Sequence, residues 1–371
     1  MRIPLSAPDI TEQEIAAVTE VLRGSRLSLG PRAEEFEERM AAYIGVPHAM
    51  AVSSGTAGLH LCVRAMGIGE GDEVIVPSFT FIAAANAIRY ERATPVFVDI
   101  DAATLNMDPQ KVEAAITRRT RAIVAVHTFG RPAEMTEILR IARQHGLLVI
   151  EDACEAIGAE YEGRKVGSFG DAAVFAFYPN KQITTGEGGM VATPHEDVAK
   201  RVRALRNQGR HESDDWFQHA EVGYNYRLSE INCALGVVQL RRVESILQKR
   251  EDVARAYGER LRGLPGLALP EERIREGRMS WFVYVVRLGD RYAAGDRDAV
   301  MRALAAEGIG CGRYFAPIHL QPSYAEWKGC SLPVTVAVAE RTIALPFFNR
   351  LGIGDVEFVG EVLGKALLGL G

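Results

Sequence analysis

A lysine between a buried-looking apolar run and a group of glycines is the residue best placed to do chemistry. In Ala172–Val191, AAVFAFYPNKQITTGEGGMV, Lys181 follows the run and precedes Gly186, Gly188 and Gly189. Most lysines are solvated surface charges. One that lies just past a strand, where open α/β sheets bind ligands, sits beside glycines that let backbone approach closely. Partial desolvation there lowers the amine pKa and makes it a nucleophile. Upstream, LLVIEDAC ends another apolar run in Glu151 and Asp152. Side chains alternate along a strand, so one acid can turn into a site and the other away. An aspartate in such a place can equally serve as a helix cap.

An amine and a carboxylate so placed meet the needs of pyridoxal phosphate. The amine forms a Schiff base with the aldehyde, and the acid keeps the ring nitrogen protonated so that the ring can accept electrons. The phosphate needs a cradle, and Ser53-Ser54-Gly55-Thr56-Ala57-Gly58 opens a helical run carrying Leu59, Leu61 and Val63. Free N–H groups, the helix dipole and hydroxyls make an anion site there, although a Ser/Thr/Gly cap is common in helices that bind nothing. Phe81, closing VIVPSFTF, can stack on a planar ring or belong to the core.

These residues need strands and helices to hold them. Thr11 and Glu14 have capping-box spacing before Ile15, Val18 and Leu22, and Gly24 can end that helix. A second helix starts near Pro31, with Phe36, Met40 and Ile44 on one face and Gly45 after it. Apolar runs then alternate with helical stretches such as Pro109–Ile116 and Glu134–His145. The runs are Glu73–Pro77, Pro95–Asp99, Ala122–Val126, Leu147–Glu151, Ala172–Phe177 and Gly189–Thr193. The alternation predicts an α/β fold with a mostly parallel central sheet. The last two runs are joined by a Gly-rich loop too short for a crossover helix, which allows an antiparallel pair. Leu240, Val243, Leu247, Val253, Tyr257 and Leu261 mark one long amphipathic helix ending near Gly263. Trp281–Arg287 reads as a strand, Arg297–Glu307 as a helix and Gly312–Phe315 as extended. The expected division is a large α/β domain over residues 1–245 and a smaller C-terminal α+β domain over residues 246–371.

Length and composition bound the rest. A chain of 371 residues carries a prior of about two domains. A net charge of −5 with 47% hydrophobic residues disfavours a polybasic nucleic-acid binder and disorder. Cys62, Cys154, Cys233, Cys311 and Cys330 form no CxxC pair, so neither a disulfide framework nor a zinc site is suggested. No acidic or histidine cluster has metal-ligand spacing. Gly67-Ile68-Gly69-Glu70-Gly71 precedes a strand instead of following one, a poor dinucleotide fingerprint. With no signal-peptide core and no membrane-length apolar run, a cytoplasmic protein is expected.

In this order and spacing the motifs resemble the DegT/DnrJ/StrS family of sugar aminotransferases, fold-type-I pyridoxal-phosphate enzymes. The resemblance runs through almost the whole chain. It includes Gly30-Pro31 with Glu35-Phe36-Glu37, Ser54-Gly55-Thr56-Ala57, Pro77-Ser78-Phe79-Thr80-Phe81 and His127-Thr128-Phe129-Gly130. It continues through Glu151-Asp152-Ala153, Lys181 with Gly186-Glu187-Gly188-Gly189, Gly223-Tyr224-Asn225-Tyr226-Arg227, and Tyr314-Phe315-Ala316-Pro317-Ile318-His319. The resemblance implies that Lys181 is the Schiff-base lysine and later the proton shuttle. It implies that Asp152 pairs with the ring nitrogen, that Phe81 stacks, and that Ser54, Gly55, Thr56 and Ala57 hold the phosphate. It further implies that Asn225, otherwise a turn residue between two tyrosines, reaches the cofactor of a neighbouring subunit in an obligate homodimer.

Two departures stand out. Ala176 occupies the position where the family commonly has a phosphate-binding serine, leaving Asn180, Thr184 or Thr185 to compensate. Glu155 stands where glutamine or histidine is usual beside the cofactor hydroxyl, and it can tune that oxygen's protonation. The implied reaction moves an amino group from an amino acid, L-glutamate by analogy, to a keto sugar of a nucleotide-diphosphate sugar. Arg210, Arg227, Arg313, Tyr314 and His319 are candidates on the substrate side, His319 equally readable as a structural histidine. A sugar dehydratase on the same scaffold, and a regulatory member without turnover, are the competing readings. Lys181 and the complete cofactor motifs stand against both.

Overall fold

The computed structural model describes residues 2–370 except 212–214, 216 and 275. The capping box closes as its spacing predicts, with Thr11 N–H donating to Glu14 Oε2 at 2.7 Å ahead of α1 (Glu12–Arg23). Pro31 opens α2 (Pro31–Ile44), and Gly45 ends it in the left-handed conformation at φ 86°. The next elements are β1 (His48–Val52), α3 (Gly55–Ala65), β2 (Glu73–Pro77), α4 (Ala83–Tyr90), β3 (Thr94–Val98), α5 (Pro109–Ala114), β4 (Thr120–Val126), α6 (Met135–His145) and β5 (Leu148–Asp152). A short hairpin of β6 (Glu160–Tyr161) and β7 (Arg164–Lys165) leads to β8 (Ala172–Ala176), β9 (Gly189–Thr193) and α7 (Glu196–Arg206).

Seven strands form one sheet in the order β1-β9-β8-β5-β4-β2-β3. The pairs β2–β3, β2–β4, β4–β5 and β5–β8 are parallel, and β9 runs antiparallel to both β8 and β1. This alternation has a direct consequence for function. Because β9 alone is reversed, the C-terminal ends of β1, β8, β5, β4, β2 and β3 lie on one edge. The residues following those strands are thereby gathered together. β1 was not singled out by its sequence, since Ala49–Val52 is short and leads straight into α3.

The remaining chain forms α8 (Glu230–Arg241), α9 (Val243–Leu261), β10 (Leu267–Ala268), β11 (Tyr284–Leu288), α10 (Ala294–Ala306), α11 (Pro333–Ala339), β12 (Thr342–Leu345) and α12 (Ile353–Leu368). A three-stranded antiparallel sheet, β10-β11-β12, packs on α9 and α12 around Tyr257, Tyr284, Trp281 and Phe347. The long helix expected from Leu240 to Leu261 is two helices, broken at Arg242, whose φ of −98° and ψ of 0° leave the helical well. The strand expected from Trp281 begins at Tyr284, and Gly312–Phe315 contributes one bridge, Gly312 to Ala344.

An ionic knot ties the first residues to α9. The buried Asp9 carboxylate meets Lys249 Nζ at 2.9 Å, Asn349 Nδ2 at 3.1 Å and Arg242 at 3.2 Å. Burial pushes its pKa up, but the hydrogen bonds from Lys249, Asn349 and Arg242 outweigh that and bring it to about 2. A carboxyl held below its unfolded value contributes stability that is fully present above pH 4 and is lost as pH falls through 2. Asp9→Asn is expected to cost about 2 kcal/mol at pH 7, with the difference from the parent shrinking as pH drops below 4. Urea denaturation across that range measures it.

Candidate active site

The first turn of α3 sits at the gathered edge. Ser54 caps it, its Oγ accepting the Ala57 N–H at 3.0 Å. The N–H groups of Gly55 and Thr56 fall in the first turn, where no carbonyl four residues back exists to receive them. Packing here is close: a Cβ on Gly55 would come within 2.7 Å of the Ala176 Cβ, and one on Gly189 within 2.6 Å of the Ser54 carbonyl. Only glycine at position 189 lets β9 begin against this turn.

β5 delivers the two acids to opposite faces. Glu151 is fully buried and accepts N–H groups from Gly167, Phe169 and Gly170, each at 2.7 Å, with His127 Nε2 at 3.0 Å. Burial raises its pKa, but His127 and these N–H groups more than reverse that. Asp152 faces the other way, is 7% exposed, and accepts the Cys154 N–H at 3.1 Å. Glu151 therefore organises the loop before β8, and Asp152 is left available at the edge.

Lys181 lies in the irregular stretch between β8 and β9, its side chain 14% exposed. Its Nζ stands 3.5 Å from Glu155 Oε1 and 3.9 Å from the centroid of the Phe282 ring. Glu155 is itself buried and accepts the Phe129 N–H through Oε2 at 2.9 Å. Burial raises its pKa, opposed by the charge of Lys181 and the Phe129 N–H. The neighbouring Cys154 thiol is pushed well up by burial and by the charge of Asp152, so it is no rival nucleophile.

The other expected residues divide. Phe81 is 60% exposed just before α4, its ring free to cover a ligand. Asn180 lies beside Tyr314, its Oδ1 buried without a partner. Thr184 and Thr185 are spent on their own loop, donating to the Phe177 and Glu187 carbonyls at 2.9 and 2.8 Å. Of the three candidates to compensate for Ala176, both threonine hydroxyls are thus committed, and the atom that Asn180 leaves unpartnered is an acceptor oxygen, which cannot donate to a phosphate as a serine hydroxyl would. Tyr314 reaches the Glu155 neighbourhood, and burial followed by the Glu155 charge raises its pKa. His319 is 1% exposed and belongs to the framework: its backbone N–H donates to Ser78 Oγ at 3.1 Å, and its Nδ1 lies 2.7 Å from the same oxygen. It braces the loop that ends in Phe81.

Arg313 is turned elsewhere, paired with Asp298 at 2.8 Å in a surface groove with Leu5, Met301 and Cys311. The expectation of a substrate role is corrected there, because Asp298 on α10 offers the nearer counter-charge. Arg227 donates to Asn207 Oδ1 at 2.8 Å, and Asn225 is exposed and bridged to Asn207. Arg210 follows on the same turn, its N–H donating to the Asn207 carbonyl at 3.3 Å. Phe282 and Arg250, which contact Lys181, escaped sequence reasoning; one aromatic in WFVYVVR and one arginine in a charged helix carry no local signal.

The fold and this edge define a transferase built around an amine, an acid and an anion cradle. Residues 8–364 match the DegT/DnrJ/EryC1/StrS aminotransferase family, and the chain belongs to it. It is 43% identical over 369 residues to the GDP-perosamine synthase of Caulobacter vibrioides, covering 99% of each chain. It is 40% identical over 374 residues to the spore coat polysaccharide biosynthesis protein SpsC of Bacillus subtilis, covering 97% of this chain and 96% of the relative. Among solved structures it superposes on Helicobacter pylori PseC, an aminotransferase involved in the biosynthesis of pseudoaminic acid, with a TM-score of 0.94, 28% identity and 99% coverage of both chains. The PMP-form of the putative sugar aminotransferase Spr1654 from Streptococcus pneumoniae matches with a TM-score of 0.94 and 28% identity, covering 99% and 98%. The chain is thus an aminotransferase with the fold of the fold-type-I enzymes, a family that uses pyridoxal phosphate.

The residues present fit that group. The unsatisfied first turn of α3 suits a phosphate, the Asp152 carboxylate a ring nitrogen, and the exposed Phe81 ring a stacking contact. Glu155 adds a negative charge beside the Lys181 nitrogen. Glu155→Gln is expected to lower, by about one pH unit, the midpoint at which the visible absorption of the bound cofactor titrates, because an anion favours the protonated nitrogen. An unchanged spectrophotometric titration removes that role.

Proposed function

We propose that the enzyme transfers the amino group of an amino acid, L-glutamate, to the carbonyl carbon of a keto sugar carried on a nucleotide diphosphate. The observation that carries this reading is the gathering of Lys181, Asp152 and the first turn of α3 at one sheet edge, where Glu155 feels the charges of both Lys181 and Asp152 and Gly55 packs on Ala176 and Cys154. A GDP-perosamine synthase alignable over 99% of each chain supports the nucleotide-linked sugar.

Pyridoxal phosphate, when bound, supplies an electron-accepting ring that makes the donor's Cα–H acidic and stores the amino group. The chain's part is holding and moving protons. Asp152 would hold one on the ring nitrogen. Lys181 would hold the group through its amine and, when that amine is free, would take the proton from the donor carbon as a base and give it back as an acid, with the same part to play toward the sugar. Glu155, 3.5 Å from that amine, keeps its charge compensated when it carries a proton. Arg227 and Arg210, near Asn207, are the cations proposed for the diphosphate, and Tyr314 lies on the substrate side.

The working unit in this reading is a homodimer. Asn225 is exposed between the two inward tyrosines, and Ile15, Leu22, Leu27 and Leu29 are exposed at 51, 57, 47 and 54%. Such an apolar stripe on α1 and the turn after it suits a second copy. Residues 1–245 act as the cofactor platform and residues 246–371 as the closing cap. Among the described residues no helix is long and apolar enough to cross a membrane. Five free cysteines suit a reducing compartment, and the cytoplasm is the proposed location.

L-Glutamate added to the loaded enzyme is expected to abolish the visible absorption and release 2-oxoglutarate. A nucleoside-diphosphate 3- or 4-keto sugar then restores the absorption and yields the amino sugar. No spectral response to any amino donor would overturn the reading. Lys181→Ala should reduce turnover by about 10²–10⁴-fold or more and abolish the borohydride-fixed cofactor adduct. An adduct surviving that change would displace Lys181 from its role.

A further inference from the structure

Arg250, on α9, carries a charge into the interior at 2% exposure, and no carboxylate lies within ion-pair distance of it among the described residues. Burial pushes its guanidinium down to about 10, with the more distant charge of Asp9 working against the fall. A buried cation without a counter-ion is expensive, and an apolar side chain of similar length fills such a space at less cost. Packing alone gives no reason for an arginine here.

Its hydrogen bonds do. Nη1 donates to the carbonyls of Phe282 at 3.1 Å and Trp281 at 3.4 Å, and Nη2 donates to the carbonyl of Lys181 at 3.0 Å. One planar fork thus joins the backbone of Lys181 to the backbone of the residue whose ring covers the Lys181 amine at 3.9 Å. We infer that Arg250 is a positioning residue for Lys181, clamping it to Phe282 so that its amine stays between that ring and the Glu155 carboxylate.

Lys181 needs such a device. It sits outside any helix or strand, and its long side chain must swing between being attached and being a free base, so its Cα is the fixed point. The adjacent Gln182 reinforces the clamp, its Nε2 donating to the Glu155 carbonyl at 2.6 Å and to the Ser280 carbonyl and hydroxyl at 3.0 Å. From the other side Glu251, next to Arg250 on α9, accepts the Trp281 indole N–H at 2.9 Å. Residues 181–182 and 280–282 are laced together, and α9 holds the lacing. Two nitrogens in a rigid plane set the spacing of the Lys181 and Phe282 carbonyls; a lysine, with one nitrogen, keeps the charge and loses the spacing.

The inference rests on Lys181 being the amine that takes the cofactor, and the test separates the two. Apoprotein is mixed with pyridoxal phosphate, quenched with borohydride at intervals, digested, and the adduct located and counted by mass spectrometry. The parent is expected to label at Lys181. Arg250→Met and Arg250→Lys, each folded by near-ultraviolet circular dichroism, are expected to label at Lys181 about 10- to 100-fold more slowly, the scale of a misplaced reacting group. In steady state kcat falls with labelling while the KM for L-glutamate stays within about twofold, as expected of a group that acts on the reacting amine. If Arg250→Met does not fold, Arg250→Lys carries the test. Parent-like labelling rates in a folded variant overturn the inference alone. Parent label at a residue other than Lys181 overturns the functional reading and the inference with it.

Discussion

The Lys181 side chain is 14% exposed and that of its carboxylate partner Glu155 is 9% exposed. Charges withdrawn this far from water are tolerated only when protein groups replace the lost solvent on both sides. Here the replacements come from separate elements. The Phe129 N–H, just past β4, satisfies one oxygen of Glu155, and the Phe282 ring, just before β11, offers its negative face to the amine. The pair is therefore only as good as the alignment of four chain segments. Sheet register supplies much of that alignment: β4 opposes Val126 to Asp152, and β5 opposes Asp152 to Val174. A slip of one residue in β5 would exchange Glu151 for Asp152 at the edge.

That exchange would be ruinous, because the two acids have been given opposite environments. Glu151 is anchored by three N–H groups and a histidine in a fully buried pocket, and its charge is consumed in folding the loop before β8. Asp152, though 7% exposed, accepts the Cys154 N–H and none of the loop N–H groups that Glu151 holds. The same functional group, one residue apart, is structural in one case and available for chemistry in the other. Strand alternation alone produces this division, and the antiparallel β9 brings the cradle of α3 to the same edge.

Much of this was legible beforehand, and the reasons differ by residue. Apolar runs bounded by turns reveal central strands because both faces are covered, which is why β2, β4, β5 and β9 lie where the pattern predicts them. Lys181, Asp152 and Ser54–Ala57 stand out because each has a chemical type at odds with its apolar surroundings. Phe282 and Arg250 do not, since an aromatic in an apolar strand and an arginine in an amphipathic helix look like core and surface respectively. Their contact with Lys181 is a product of tertiary packing across a long stretch of chain. Arg313 misleads for the converse reason: its place next to Tyr314 suggests the site, but its side chain pairs with Asp298 in a surface groove.

The break between α8 and α9 shows the same limit at the level of an element. Leu240, Val243 and Leu247 keep helical spacing across it, so hydrophobic periodicity reads straight through. No proline or glycine marks the position. What lies there instead is Arg242, whose side chain bonds Glu14 at 2.5 Å and Asp9 at 3.2 Å, drawing the end of α8 toward the first residues of the chain. α9 leaves on a new course that carries Arg250 to the Lys181 and Phe282 carbonyls. The direction of a helix that matters to the site is thus set by charges from the far end of the sequence, and apolar spacing contains no record of them.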